Sequence, residues 1–348
     1  MKPDNITWET VENKTNTFKE RYIATLIGCA IGDTLGMPVE CWSREQIEKK
    51  FGKITEPIDP ILISRKRLKK GEYTDDTILT LAIAESIAEK QSLDFQAITE
   101  KQIQSYEACR LQKGKFKGGF GKTTKLAFEK IKSGVSPLES GISPGLGTGP
   151  CMKTSPIGMY MHATGEYFRG LGVARALGES THKDERAITS GIVQVHAVYS
   201  LLINSKISRE DFSYSLVSLC KIEEKPLKEN SALIERGNLT EKLQWVNENQ
   251  NVNDEIAYKT LGNSCLAFES YPFTIFMFQK YWDKPLEGLI ETVNWGGDCD
   301  TTGAMYGALA GAKNGMIFPE SWLTDLQNKE RLAKAAEKIY EFGEKNDR

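Results

Sequence analysis

The sequence predicts an all-α fold in one compact multi-helix domain, and three observations carry that prediction. Apolar residues recur at helical spacing in segment after segment of the 348 residues. No period-two alternation of the kind a half-buried strand needs is sustained. No Pro/Ser-rich linker and no internal repeat of roughly 20 to 50 residues divides the chain, so residues 17–348 read as a single domain behind a polar extension over 1–16.

In chain order, the first helix is expected over 17–36, where Gly28, Gly32 and Gly36 stand at i, i+4 and i+8 and share one face. Asp33 and Glu40 then sit at or beyond its C-terminal end, where the helix dipole gives a carboxylate no support. The second helix, over 78–90, follows from Ile78, Leu79, Leu81, Ala82 and Ile87. Helical periodicity continues over 96–110, 122–133 and 186–203, the last opening behind "STHKDERAI". A helix is expected over 230–248, although 221–253 is polar overall, and another over 264–282. Over 301–312 the residues Gly303, Gly307 and Gly311 share one face, and Ala304, Ala308 and Ala312 another. Such spacing lets a second backbone approach closely. This small-residue run is about half the roughly 20 residues a membrane span requires. The final helix, 328–343, pairs a stripe of Leu332, Ala335, Ala336 and Ile339 with Glu330 and Lys334 at i, i+4.

Two of these helices begin with more acid than a cap requires. Asp298, Asp300 and Thr301 open one, and Thr74, Asp75, Asp76 and Thr77 precede the other. A helix start needs one capping oxygen, and Asp or Thr supplies it. Several carboxylates gathered together repel one another unless a cation lies between them, and oxygen donors suit Mg2+, Mn2+ or Ca2+. The calcium-loop pattern fails at Thr302, where a third acid or amide is wanted. The seven cysteines contain no C-x-x-C pair and the three histidines no H-E-x-x-H, so spacing along the chain offers zinc no site. Mg2+ fits best, as one ion or two.

Composition excludes other classes. A formal net charge of −2 gives no global attraction to nucleic acid or anionic membrane. An odd cysteine count and a polar start, "MKPDNITWETVENKTNTFKE", lead to the expectation of a reducing cytoplasm. The stretch "GKFKGGFGKTTK" is not a phosphate-binding P-loop, because Phe116 stands where its first glycine belongs. "GTGPCMK" offers flexible backbone to a ligand, His182 stands just ahead of a helix, and His196 reads as a core histidine. Two basic segments, Ser64–Gly71 and Lys113–Lys125, read as solvated loops, with recruitment of an anionic target as the rival.

Taken together and in order, "GCAIGDTLGMPVE", "YTDDTILTLAIAESI", "GGFGKTTKLAFEKI", "GTGPCMK", "STHKDERAI", "LGNSCLAFESYPF" and "GGDCDTTGAMYGALAGA" resemble the ADP-ribosylglycohydrolase family over roughly residues 20–315. The resemblance implies an ADP-ribosylglycohydrolase-like all-helical domain with a dinuclear centre. Two Mg2+, or Mn2+, would be held by Thr74, Asp75, Asp76, Asp298, Asp300 and Thr301. It implies hydrolysis of the bond between ADP-ribose and an acceptor, with ADP-ribosyl-arginine favoured over serine, O-acetyl or nucleic-acid linkages. The partner is then an ADP-ribosylated protein or a small ADP-ribose conjugate, met by a monomer away from membranes. By the same resemblance Glu40, Asp298 and Asp300 are catalytic. Gly119, Phe120, Gly121, Gly147, Thr148, Gly149, Cys151, Met152, Lys153 and His182 contact substrate. Where the family reads G-N-G-x-x-M-R, this chain carries Thr148 and Lys153, which points to a divergent subgroup. A non-catalytic ADP-ribose binder and a metal-dependent nucleotide hydrolase are the alternatives.

Overall fold

The computed structural model describes residues 17–60, 68–111, 117–227 and 231–346. The polar extension 1–16, residues 64–67 of the first basic segment and residues 113–116 of the second lie outside the described residues. The first helices are α1 (Phe18–Gly36), α2 (Arg44–Phe51), α3 (Asp75–Lys90), α4 (Phe95–Ala108) and α5 (Lys122–Lys132). Next come α6 (Ser155–Thr164), α7 (Tyr167–Glu179), α8 (Glu185–Ile203), α9 (Arg209–Glu223), α10 (Leu239–Glu248) and α11 (Asp254–Leu261). The chain continues through α12 (Ala267–Lys280), α13 (Pro285–Asn294), α14 (Cys299–Asn314), α15 (Glu320–Thr324) and α16 (Lys329–Asn346). Among the described residues there is no strand, only three isolated bridges between loops.

The glycine stripes of α1 and α14 are each other's partners. A Cβ on Gly32 would stand 1.8 Å from the Gly303 carbonyl oxygen, and one on Gly28 would stand 2.1 Å from that of Gly307. Gly36 faces Cys299 in the same way, at 2.2 Å. The two helices therefore run antiparallel with backbones in contact, so the C-terminus of α1 meets the N-terminus of α14. Around this pair α16 packs against α1, α3 and α6, while α8, α12 and α13 cover α14. The segment Phe18–Val39 and helix α8 are long and apolar enough to cross a bilayer, but their apolar windows are 94% and 83% buried against their neighbours, the packing expected of core helices.

The helix expected over 230–248 is shorter. Ile234–Arg236 makes a 3-10 turn, Gly237 takes φ +79°, and α10 begins only after Asn238. Asn238 and Glu241 form a reciprocal capping box that fixes this later start. Seven helices, α2, α6, α7, α9, α11, α13 and α15, were not anticipated. Most are short or carry a broken apolar stripe; α2, for example, buries only Ile47.

Candidate metal centre

The N-termini of α3 and α14 converge below the end of α1, and in neither does the N-cap side chain cap its own helix. Thr74 and Asp298 occupy the two N-cap positions, yet neither side chain accepts a first-turn N–H. On α3 that work is done by Asp33, which reaches across from α1. Its oxygens accept from Thr74 N at 3.0 Å, from Thr77 N at 3.1 Å and from the Thr77 hydroxyl at 2.7 Å. The α3 start is thus capped in trans, which releases Asp75 and Asp76 from capping. On α14, Asp300 Oδ1 accepts from Thr301 N at 2.9 Å, and Asp298 Oδ2 accepts from the Thr148 hydroxyl at 3.2 Å.

Asp33 was legible only as an acid of no stated purpose. Its signal is that it is the one charged residue in the apolar run from Ala24 to Val39.

The electrostatics call for a proton or a cation. Asp33, Asp75, Asp76, Asp298 and Asp300 are all buried, as are Thr74, Thr301 and Glu40. Burial, and after it the charge of Asp300, raises the Asp33 carboxyl to about 7. Burial followed by Asp300, Asp33, Asp75 and Asp298 raises Asp76 well above the ordinary carboxylate range. Asp298 is raised by burial, then by Cys265 and Asp300. Asp76 Oδ1 is buried without a hydrogen-bond partner. A buried, unpartnered carboxylate oxygen among like charges is costly unless a proton or a cation meets it. The hard oxygen donors of Thr74, Asp75, Asp76, Asp298, Asp300 and Thr301 therefore fit a divalent cation, and the same groups are poor candidates for anything apolar.

Three loops close on this cluster, each pinned by backbone pairing. Ser43 bridges to Gly296, Ile142 to His182 and Gly147 to Leu266. The amide of Asp75 donates to Gly118 O at 2.6 Å, which sets Gly118 and Gly119 against the α3 start. A Cβ at Gly119 would stand 3.5 Å from Asp75 Oδ1.

A family profile described as ADP-ribosylglycohydrolase matches residues 14–348. The chain belongs to the ADP-ribosylglycohydrolase family. It is similar to a protein of Archaeoglobus fulgidus, 29% identical over 93% of this chain and 97% of that protein. Mouse ADP-ribosylhydrolase ARH3 is 26% identical over 92% of this chain and 91% of its own. ADP-ribosylarginine hydrolase Tri1 of Serratia proteamaculans is 24% identical over 92% of this chain and 79% of its own. The fold matches a solved ADP-ribosylglycohydrolase-related protein complex with a TM-score of 0.68, 24% identity and coverage of 94% of this chain and 99% of that one.

In this ADP-ribosylglycohydrolase the resemblance-derived contact residues divide into two groups. Gly119, Gly147, Thr148, Gly149 and His182 lie against one another or against the acid cluster. The His182 ring packs on the glycine loop, since a Cβ at Gly149 would come 2.6 Å from its Cε1. Its Nδ1 pairs with the Thr181 hydroxyl at 2.7 Å. Burial, with help from the charge of Lys153, lowers the imidazole to about 3, so it is neutral at working pH. Phe120 and Met152 instead share a small apolar cluster with Leu79, Tyr106 and Phe128, and Cys151 is buried in the main core. What those positions offer a ligand is backbone. Gly121 is the N-cap of α5 and meets nothing within 4 Å of a notional Cβ. His196, read as a core histidine, is partly buried and satisfied by Tyr167 and Ser200.

Lys153 is fully buried, and its ammonium nitrogen has no hydrogen-bond partner. Burial lowers it to about 8, while the charge of Asp75 works in the opposite direction. The unfolded side chain keeps its proton to about pH 10.5 and the folded one to about 8, so stability rises as pH climbs through that window. Below pH 8 the cost is complete. Lys153→Met is therefore expected to stabilise the metal-free protein at pH 7 by on the order of 2 kcal/mol, with the gain shrinking between pH 8 and 10. Denaturant unfolding across that pH range tests this, and a variant less stable than wild type at pH 7 would contradict it.

Proposed function

We propose that the chain is a divalent-cation-dependent ADP-ribosyl hydrolase that removes ADP-ribose from an acceptor, with ADP-ribosyl-arginine as the preferred linkage. One observation carries this reading above the rest: two helix starts contribute acid clusters, and Asp33 takes over capping so that one cluster is spared for another task. In this reading Thr74, Asp75, Asp76, Asp298, Asp300 and Thr301 hold Mg2+ or Mn2+. When bound, such ions orient ribose hydroxyls and make water easier to deprotonate.

The protein's own groups do the rest. Departure from the anomeric carbon builds oxocarbenium-like positive charge, and the buried carboxylates of Asp298 and Asp300 supply negative potential to stabilise it. Asp298 is assigned to taking the proton of the attacking water. Glu40 lies with an oxygen within 4.8 Å of an Asp298 oxygen and is assigned to positioning the ribose, with acid-base work open to it. His182, held neutral, offers a hydrogen bond without a charge, and the backbone of Gly147–Gly149 and Gly118–Gly119 approaches the ligand where side chains would intrude. Thr148 tethers Asp298, which ties the altered loop to a proposed catalytic residue. The seven free cysteines agree with a reducing compartment.

The arginine preference draws its support from the name of the Serratia relative, ADP-ribosylarginine hydrolase. A panel of ADP-ribosyl-arginine, ADP-ribosyl-serine, O-acetyl-ADP-ribose and ADP-ribosylated nucleic acid, scored by free ADP-ribose with Mg2+ present, is the test. Release from arginine should exceed release from each other substrate by at least about tenfold, a difference of roughly 1.4 kcal/mol in barrier. Release from serine but not arginine overturns the acceptor, and release from none overturns the hydrolase reading.

A further inference from the structure

At the rim of the acid cluster two loops bring together thiols that are far apart in the chain. An oxygen of Glu40, the Sγ of Cys265 and an oxygen of Asp298 all lie within 4.8 Å of one another. Cys41 Sγ lies 3.8 Å from Glu40 Oε1, which brings a second thiol to the same carboxylate. The two carboxylates are buried, whereas Cys41 and Cys265 are exposed, so an ion can enter from the sulfur side.

The arrangement is held by backbone. Cys41 N donates to Gly297 O at 2.8 Å, Gly297 N to Trp42 O at 2.9 Å and Asp298 N to Asn263 O at 2.9 Å.

Two sulfurs and two carboxylate oxygens form a donor set suited to Zn2+, Cd2+ or Co2+ and poorly suited to Mg2+. Bonds of about 2.3 Å to sulfur and about 2.0 Å to oxygen put tetrahedral donors roughly 3.3 to 3.8 Å apart. Glu40, Cys265 and Asp298, whose donor atoms lie within 4.8 Å of one another, thus need to contract by only about 1 Å, and Cys41 joins them from the Glu40 side.

We propose that Cys41, Cys265, Glu40 and Asp298 form a binding site for a thiophilic divalent cation, Zn2+ in a cell. The site is separate from the hard-cation centre but shares Asp298 with it. Its occupation draws Asp298 and Glu40 toward the sulfurs and away from the substrate, so a soft cation inhibits where Mg2+ activates. The binding claim stands without the glycosidic chemistry. Only the inhibition rests on the proposed function.

The test uses the reduced, chelator-treated full chain titrated with Co2+, and separately with Cd2+, followed by sulfur-to-metal charge-transfer absorption. One equivalent should saturate the band, and Zn2+ should displace Co2+. Cys41→Ser and Cys265→Ser should each weaken binding by more than the roughly 10- to 100-fold typical of losing an outer-shell partner, and the double variant should lose the band. Cys109→Ser, at a thiol outside the cluster, should retain it. Circular dichroism checks that each variant is folded. No band, or an undiminished band in Cys41→Ser and Cys265→Ser, overturns the site. In the hydrolysis assay with Mg2+, Zn2+ should inhibit wild type at least about tenfold more strongly than Cys41→Ser. Equal inhibition overturns the regulatory part, whereas a band with no hydrolysis in any variant leaves the site standing and removes the hydrolase reading.

Discussion

Asp300→Asn is expected to lose hydrolysis by at least roughly two to three orders of magnitude, the cost of removing one preorganised electrostatic group, while keeping its helical fold. Asp300 is buried in the first turn of α14, and its charge helps to raise Asp33, Asp76 and Asp298. Replacing it removes a proposed metal ligand and also relieves its neighbours. In the metal-free wild type these raised carboxyls bind protons more tightly when folded than when unfolded. Their contribution is full below the unfolded value near 3.8 and is lost as pH rises toward the Asp33 value of about 7. Metal-free wild type should therefore lose stability from pH 4 to 7, and Asp300→Asn should lose less. Mg2+ should raise the thermal midpoint of wild type, because a ligand bound only by the folded state stabilises it, and should have little effect on the variant. A chelator should abolish wild-type activity, and Mg2+ or Mn2+ should restore it. Full activity in excess chelator, or in Asp300→Asn, would remove the metal from the mechanism.

Gly32→Ala should be strongly destabilising. Its Cβ would meet the Gly303 carbonyl oxygen at 1.8 Å and the Ala304 amide nitrogen at 2.7 Å. Both obstacles are backbone, so no rotamer change relieves them, and α1 and α14 must move apart along the seam that brings Asp33 and the Glu40 loop to Asp298 and Asp300. Overpacking commonly costs about 1 to 3 kcal/mol when side chains can yield. With none able to yield here, about 4 kcal/mol or more is expected, a large fraction of a typical domain's stability. Gly172→Ala is the control. Gly172 lies in α7 with nothing within 4 Å of a notional Cβ, and Ala is the better helix former by up to about 1 kcal/mol. Denaturant unfolding of both variants decides the matter. Equal stability for Gly32→Ala and wild type would mean that the two helices are not in backbone contact.

Several features of the molecule were readable from neighbouring residues alone. The surplus of acid at Thr74–Asp76 and Asp298–Thr301 is visible because one helix start uses one cap. Glycines at i, i+4 and i+8 announce a close helix contact because that spacing defines a face. The all-helical class follows for the same reason, since periodicity is a property of consecutive residues. Helix boundaries were less legible where a single conformation decides them. The positive φ of Gly237 and the capping box at Asn238 cut short a helix that composition alone allowed to begin earlier.

The tertiary structure decided which faces meet. Each glycine stripe proclaims a partner without naming it, and only packing shows that the stripe of α1 lies on the stripe of α14. That pairing carries Asp33 onto the start of α3, where it caps a helix it does not belong to. It also sets the Glu40–Cys41 loop beside Gly296–Asp298, and the loop holding Cys265 joins them through Asn263. Spacing along the chain excluded a sulfur site because no two cysteines stand at ligand distance in sequence. The physical reason is range: propensity, capping and periodicity act over a few residues, whereas a site assembled from residues 33, 40, 75, 148, 265 and 298 exists only once helix faces have chosen one another.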